Sequence, residues 1–142
     1  MSSEAKILIV EDDRDQVDAM RIILESKPYD VVAAYGADEG MEKVKAERPD
    51  LILLDVMMPD GTEGFHFVWK LRRLDEDYFR NVPIVLLTAI HDKTELRFYP
   101  DSSDGTYKAG EFLPVQDFLD KPASPDRLLQ TVERVLAAAR RR

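Results

Sequence analysis

The sequence predicts an α/β domain, a doubly wound (βα)5 arrangement built on a parallel sheet. Three observations carry this reading. Short apolar runs alternate with amphipathic stretches along the chain. The runs are apolar on both faces, as strands covered by helices on each side must be. Polar residues with chemical potential stand where the apolar runs end, at the edge where such sheets bind their ligands.

Each element has a local reason. Lys6–Val10 (KILIV) is the first buried strand. Arg14–Lys27 is a helix with Val17, Met20 and Leu24 on one face, closed by Pro28. Asp30–Tyr35 is the second strand, and Gly36 turns the chain. Asp38–Glu47 is a helix with Met41 and Val44 inward, broken by Pro49. Asp50–Asp55 (DLILLD) is the third strand, and residues 59–63 form a loop. The helix Gly64–Leu74 offers Phe65, Val68, Trp69 and Leu71 to the core. Pro83–Thr88 and Val115–Asp120 are the fourth and fifth strands. Ser124 caps the last helix, with Pro125 in its first position and Leu128, Leu129, Val132, Val135 and Leu136 inward.

The 142 residues fit one domain, expected over residues 4–139 and followed by a basic tail at 140–142. There is no cysteine, which excludes disulfides, thiolate metal sites and thiol nucleophiles. With 28 acidic and 20 basic residues the net charge is −8, so direct binding to nucleic acid is not expected. The Arg140–Arg142 tail suits a helix C-terminus. No run is long and apolar enough to span a membrane, no secretory core is seen at the N-terminus, and a cytoplasmic location is expected.

The strand ends carry the chemistry. Strand one runs into Glu11, Asp12 and Asp13, strand three ends at Asp55, strand four at Thr88, and strand five runs into Lys121. Clustered carboxylates repel and need a cation, and oxygen ligands of this kind favour a hard ion such as Mg2+. Glu11, Asp12 and Asp55 supply −3, and Mg2+ with Lys121 supplies +3, so the set is close to neutral. An Asp carboxylate can act as a nucleophile toward a phosphoryl group, with the cations stabilising the transferring oxygens.

The segments ILIVEDD, LILLDVMMP, PIVLLTA and DFLDKP, in that order from Ile7 to Pro122, resemble the four landmarks of response-regulator receiver domains. The resemblance implies a flavodoxin-like strand order 2-1-3-4-5 with five helices. It implies that Asp55 is the phosphoacceptor, that Asp12 ligates Mg2+ directly, and that Glu11 acts through water. Met57 would offer its backbone carbonyl to the metal. Thr88 would be the switch hydroxyl, Lys121 the partner of the phosphoryl oxygens, and Phe118 the switch aromatic. Met57 and Ile90 occupy the positions that influence attack by water on the phosphoryl group. The implied partners are a sensor histidine kinase or a histidine phosphotransfer protein. No turnover enzyme activity is expected beyond the chain's own phosphoryl transfer.

Plain structural roles compete at several positions. Asp13 is read as a helix cap, Phe118 serves equally as a fixed core residue, and Trp69 is most simply core. His66 and His91 have no recognisable ligand or triad partner and are read as surface residues. Two departures stand out. Four residues, Asp60 to Glu63, separate Pro59 from Gly64, one more than the family usually has. Thr88 and Lys121 stand 33 positions apart (121 − 88), with Pro100, Gly105, Gly110 and Pro114 where the family has a helix. Only Ile90–Phe98 can form a helix there, so no standard dimer through that face is expected. Two other functions compete with this one. A haloacid-dehalogenase-type phosphatase wants an acid two residues after its nucleophile, where this chain has Met57. A binding module that keeps the fold without phosphorylation is disfavoured by the complete acidic, Thr and Lys set.

Overall fold

The computed structural model describes residues 5–55, 63–88, 115–120 and 124–140, with the side chains of 63–65, 88, 118 and 120 left aside. The expectations for Met57, residues 59–62 of the expected 59–63 loop, Ile90, His91, segment 89–114, Lys121 and residues 141–142 lie outside the described residues, while Glu63 already belongs to a helix.

Five parallel strands form one sheet in the order β2-β1-β3-β4-β5. They are β1 (Ala5–Val10), β2 (Tyr29–Ala34), β3 (Leu51–Asp55), β4 (Ile84–Thr88) and β5 (Asp117–Asp120). This is the order the resemblance implies. The helices among the described residues are α1 (Arg14–Glu25), α2 (Ala37–Glu47), α3 (Glu63–Arg72), α4 (Asp77–Asn81) and α5 (Pro125–Arg140). Among the described residues α4 stands between α3 and β4, and the sequence reading did not foresee it.

Alternation along the strands divides the core in two. On one side Leu8, Val10, Ile52, Leu54, Ile84 and Leu86 meet α2 through Met41 and Val44, and α3 through Phe67, Val68 and Leu71. On the other side Ile7, Ile9, Leu51, Leu53, Val85 and Leu87 meet Val17 and Leu24 of α1, and the apolar face of α5. The inward faces expected of α1, α2 and α5 are those observed. Met20 and Leu129 pack at the margin of the second cluster.

Trp69 requires a correction. It is 42 % exposed, while Phe67 is 2 % exposed. In α3 the buried positions Phe67, Val68 and Leu71 share one face, and Trp69 falls outside it. Close approach of α2 sets this face. A Cβ at Gly40 would lie 3.1 Å from both Phe67 and Val10, so the absent side chain lets α2 settle onto β1 and α3.

The N-terminal edge of the sheet is tied down by polar contacts. Arg48 closes α2 in the left-handed region at φ 46°. Its guanidinium lies over Tyr78 at 4.6 Å and pairs with Glu76 at 2.7 Å. The Tyr78 hydroxyl donates to the Pro49 carbonyl at 2.6 Å, and burial pushes that phenol well above its ordinary pKa. These contacts hold α4 against the loop that leads into β3.

Truncation at the two aromatic positions of α3 separates core from surface. Phe67→Ala is expected to lower unfolding stability by roughly 3–5 kcal/mol, the range for a deleted buried aromatic. Trp69→Ala is expected to change it by no more than about 0.5 kcal/mol. Urea unfolding of both variants checks this, and equal losses would contradict the assignment of the α3 faces.

Candidate functional site: an acidic cluster at the carboxyl edge of the sheet

Strand register brings the candidate residues to one edge. Val10 pairs with Leu54, Asp55 with Leu87, and Thr88 with Asp120. Glu11, Asp55 and Thr88 therefore stand side by side at the carboxyl ends of β1, β3 and β4. Lys121 follows directly on β5, but its own placement is outside the described residues, as is that of Met57. For Thr88 and Phe118 the backbone lies in β4 and β5, and Phe118 pairs in register with Leu86.

Glu11, Asp12 and Asp55 form one group, with a carboxylate oxygen from each lying within 4.8 Å of the others. Glu11 and Asp55 are buried, at 1 % and 2 % exposure, and Asp12 is exposed. The Glu11 backbone donates to the Ala34 carbonyl at 3.0 Å, tying the turn after β1 to the end of β2. Its side-chain Oε2 accepts from the Asp13 backbone at 3.2 Å. Glu11 thus has two anchors, and the adjacent Asp12 carboxylate is the one left open to solvent.

Asp13 is a helix cap, as expected. Its Oδ1 accepts from the backbone of Asp15 at 3.0 Å and of Gln16 at 3.3 Å, satisfying two of the free N–H groups of α1. The guanidinium of its neighbour Arg14 lies over the Tyr35 ring, 4.0 Å from its centroid. Tyr35 is fixed in turn by its backbone N–H, which donates to Glu39 at 2.8 Å. The sequence reading missed this rim, because nothing in the spacing of positions 14, 35 and 39 announces it. His66 is exposed, as expected.

The donor set fits a hard divalent ion. It consists of carboxylate oxygens, converging from two strand ends, with two of the three side chains withdrawn from water. Two unit charges about 4 Å apart repel by about 4 kcal/mol at an effective dielectric near 20, so a cation in their midst relieves a real cost.

Comparison with known proteins agrees with this architecture. Residues 7–133 match the family model of the response regulator receiver domain. The chain belongs to that family. It is 34 % identical over 133 residues to the alkaline phosphatase synthesis transcriptional regulatory protein PhoP of Bacillus subtilis, covering 92 % of this chain and 48 % of that protein. It is 28 % identical over 134 residues to protein PilH of Pseudomonas aeruginosa, covering 94 % of this chain and 98 % of PilH. Among solved structures, the chemotaxis response regulator CheY4 of Vibrio cholerae superposes with a TM-score of 0.74 at 27 % identity, covering 95 % of this chain and 99 % of that one. The receiver domain thus spans about half the length of PhoP and nearly all of PilH. Among the described residues no helix is long and apolar enough to cross a membrane.

The carboxylate cluster and the cap next to it are separable. In metal-free buffer Asp55→Asn is expected to raise unfolding stability by on the order of 1–2 kcal/mol, because it removes one of three mutually repelling charges. Adding Mg2+ is expected to stabilise the unmodified receiver domain and to narrow that gap. Asp13→Ala is expected to cost about 1 kcal/mol with no change in the Mg2+ midpoint. Urea titrations at several Mg2+ concentrations decide both points. A Mg2+ midpoint that moves with Asp13→Ala would remove the distinction between cap and cluster.

Proposed function

We propose that this receiver domain is a phosphoacceptor of a two-component system, phosphorylated on Asp55 with Mg2+ held by Glu11, Asp12, Asp55 and the Met57 carbonyl. The observation that carries the reading is the burial of Asp55 at a strand end, within 4.8 Å of two further carboxylates. A carboxylate placed there is desolvated and fixed, which favours attack on a phosphoryl group once the surrounding charge is offset.

In the reaction, an Asp55 carboxylate oxygen forms a bond to phosphorus. The bond from phosphorus to the donor breaks, and the donor leaves with that electron pair. The donor is the phosphohistidine of a sensor kinase or phosphotransfer protein, met in the cytoplasm. Mg2+, when bound, neutralises charge on the phosphoryl oxygens. Lys121 pairs with one phosphoryl oxygen, and Thr88 moves its hydroxyl toward another. Phe118 follows Thr88 inward and alters the partner surface. The chain turns over no other substrate. Domain limits of 4–139, with a basic tail beyond, complete the reading.

Asp55→Asn is expected to abolish labelling by acetyl phosphate, and Asp12→Ala to lower it to the level that the unmodified chain shows in excess chelator. Intact-protein mass spectrometry reads both. Undiminished labelling of Asp55→Asn overturns the assignment.

The phosphoryl group is expected to be long-lived. Met57 and Ile90 are apolar and cannot orient an attacking water through a hydrogen bond. Met57→Asn is expected to speed hydrolysis, followed by loss of the labelled mass over time. Loss within seconds from the unmodified chain contradicts this.

A further inference from the structure

Among the described residues two large apolar side chains are exposed, Ile22 at 73 % and Trp69 at 42 %. Their settings are opposite in charge. Ile22 shares the outer face of α1 with Asp15, Asp18 and Glu25, all exposed, at spacings of three and four residues. On α3 Trp69 stands three residues after His66 and next to Lys70, and Arg73, four residues on, follows in the turn that closes the helix; all three neighbours are exposed. Beside that second stripe lies a cleft of about 180 Å3 between α2 and α3, with Met41 and Phe67 on its floor, His66 and Lys70 on one wall and Asp38 on the other.

The side chains of both stripes are unengaged. Among the described residues Asp15, Asp18 and Glu25 enter no ion pair, and neither do His66, Lys70 and Arg73. Nearby cations behave differently. Arg48 pairs with Glu76, Arg80 with Asp75 and Asp77, and Arg72 donates to the Phe79 carbonyl and Gln116. A basic stripe left unpaired around an exposed indole, on a chain of net charge −8, is therefore a local feature rather than a surplus of cations. Aromatic and basic side chains together are the composition of interface centres.

We propose that these two stripes dock on one another between copies of this chain, α1 of one copy lying along α3 of the next. Ile22 covers Trp69 and the neighbouring cleft, and the flanking acids meet the flanking bases. In the fold, α1 lies with α5 on one side of the sheet and α3 with α2 on the other. The contact is thus between unlike surfaces. Each added copy leaves one stripe free at each end, so association proceeds as an open head-to-tail chain rather than a closed pair. Two helix faces bury little area, so the contact belongs to the weak, reversible class. The inference does not depend on phosphorylation and is tested without phosphodonor or Mg2+.

The experiment uses two one-sided variants. Asp18→Ala with Ile22→Ser removes the acidic stripe, and Lys70→Ala with Arg73→Ala removes the basic one. All four positions are exposed, so the fold is retained, which circular dichroism verifies. Sedimentation of the unmodified chain is expected to show mass rising above monomer as concentration approaches about a millimolar. Each variant alone is expected to remain monomeric. The two mixed in equal amounts are expected to form a pair and stop there, since each then carries one competent stripe. Trp69 is the one tryptophan of the chain, so its emission is expected to shift in the mixture as it does in the unmodified chain. Long-range repulsion does not explain loss in the first variant, because that change makes the chain less negative. A monomeric unmodified chain at about a millimolar overturns the proposal, as does undiminished association of either variant alone or a mixture that stays monomeric.

Discussion

Two carboxylates sit withdrawn from water at the end of a sheet that is otherwise apolar, and that placement governs much of the architecture. Glu11 and Asp55 stand one position beyond Val10 and Leu54, which are fully buried neighbours across β1 and β3. A shift of register would send one of them into a helix-covered face, where an ionised group has no compensation. Apolar strands and acidic ends therefore specify the same register from two directions. The turn after β1 then follows, since Glu11 must bond both Ala34 and Asp13 to hold its place.

The architecture was legible in the sequence because its two signals reinforce each other. Strands such as KILIV and DLILLD are short and apolar throughout, and each is closed by an acid. The amphipathic helices α1, α2 and α5 are long enough for a 3.6-residue period to fix a face. The acidic cluster was legible for the same reason, in that Asp55 ends β3 and Glu11 and Asp12 are the first two residues after β1. Asp13 was separable from them because a carboxylate just before a helix has a capping task of its own.

What was not legible depends on tertiary contact. In α3 the run from Phe65 to Leu71 holds five apolar residues among seven, more than one face can bury, so periodicity alone does not choose between Phe67 and Trp69. The choice is made by α2, where Gly40 leaves room that the Phe67 ring occupies. The helix α4 has five residues, fewer than two turns, and offers no period to detect. It is held from outside, by Arg48 over Tyr78 and by Arg72 on the Phe79 carbonyl. The Arg14–Tyr35–Glu39 rim likewise joins three elements whose separation in sequence carries no pattern.

The two edges of the sheet are built on opposite principles. At the N-terminal edge polar groups are paired off. Lys6 and Asp50 exchange backbone and carboxylate bonds at 2.7 Å, and Lys6 reaches Glu47 at 3.0 Å. Gln116 accepts from the Ile84 backbone at 2.6 Å while its own N–H reaches the Ile84 carbonyl, fastening β5 to β4 before the strand begins. At the carboxyl edge like charges are gathered within 4.8 Å of one another. Such a cluster persists only if the strands that carry it cannot separate, because repulsion between buried charges acts to open the edge. The bonded N-terminal edge and the two apolar layers supply that restraint. The same restraint would keep the carboxylates in place around a cation bound among them.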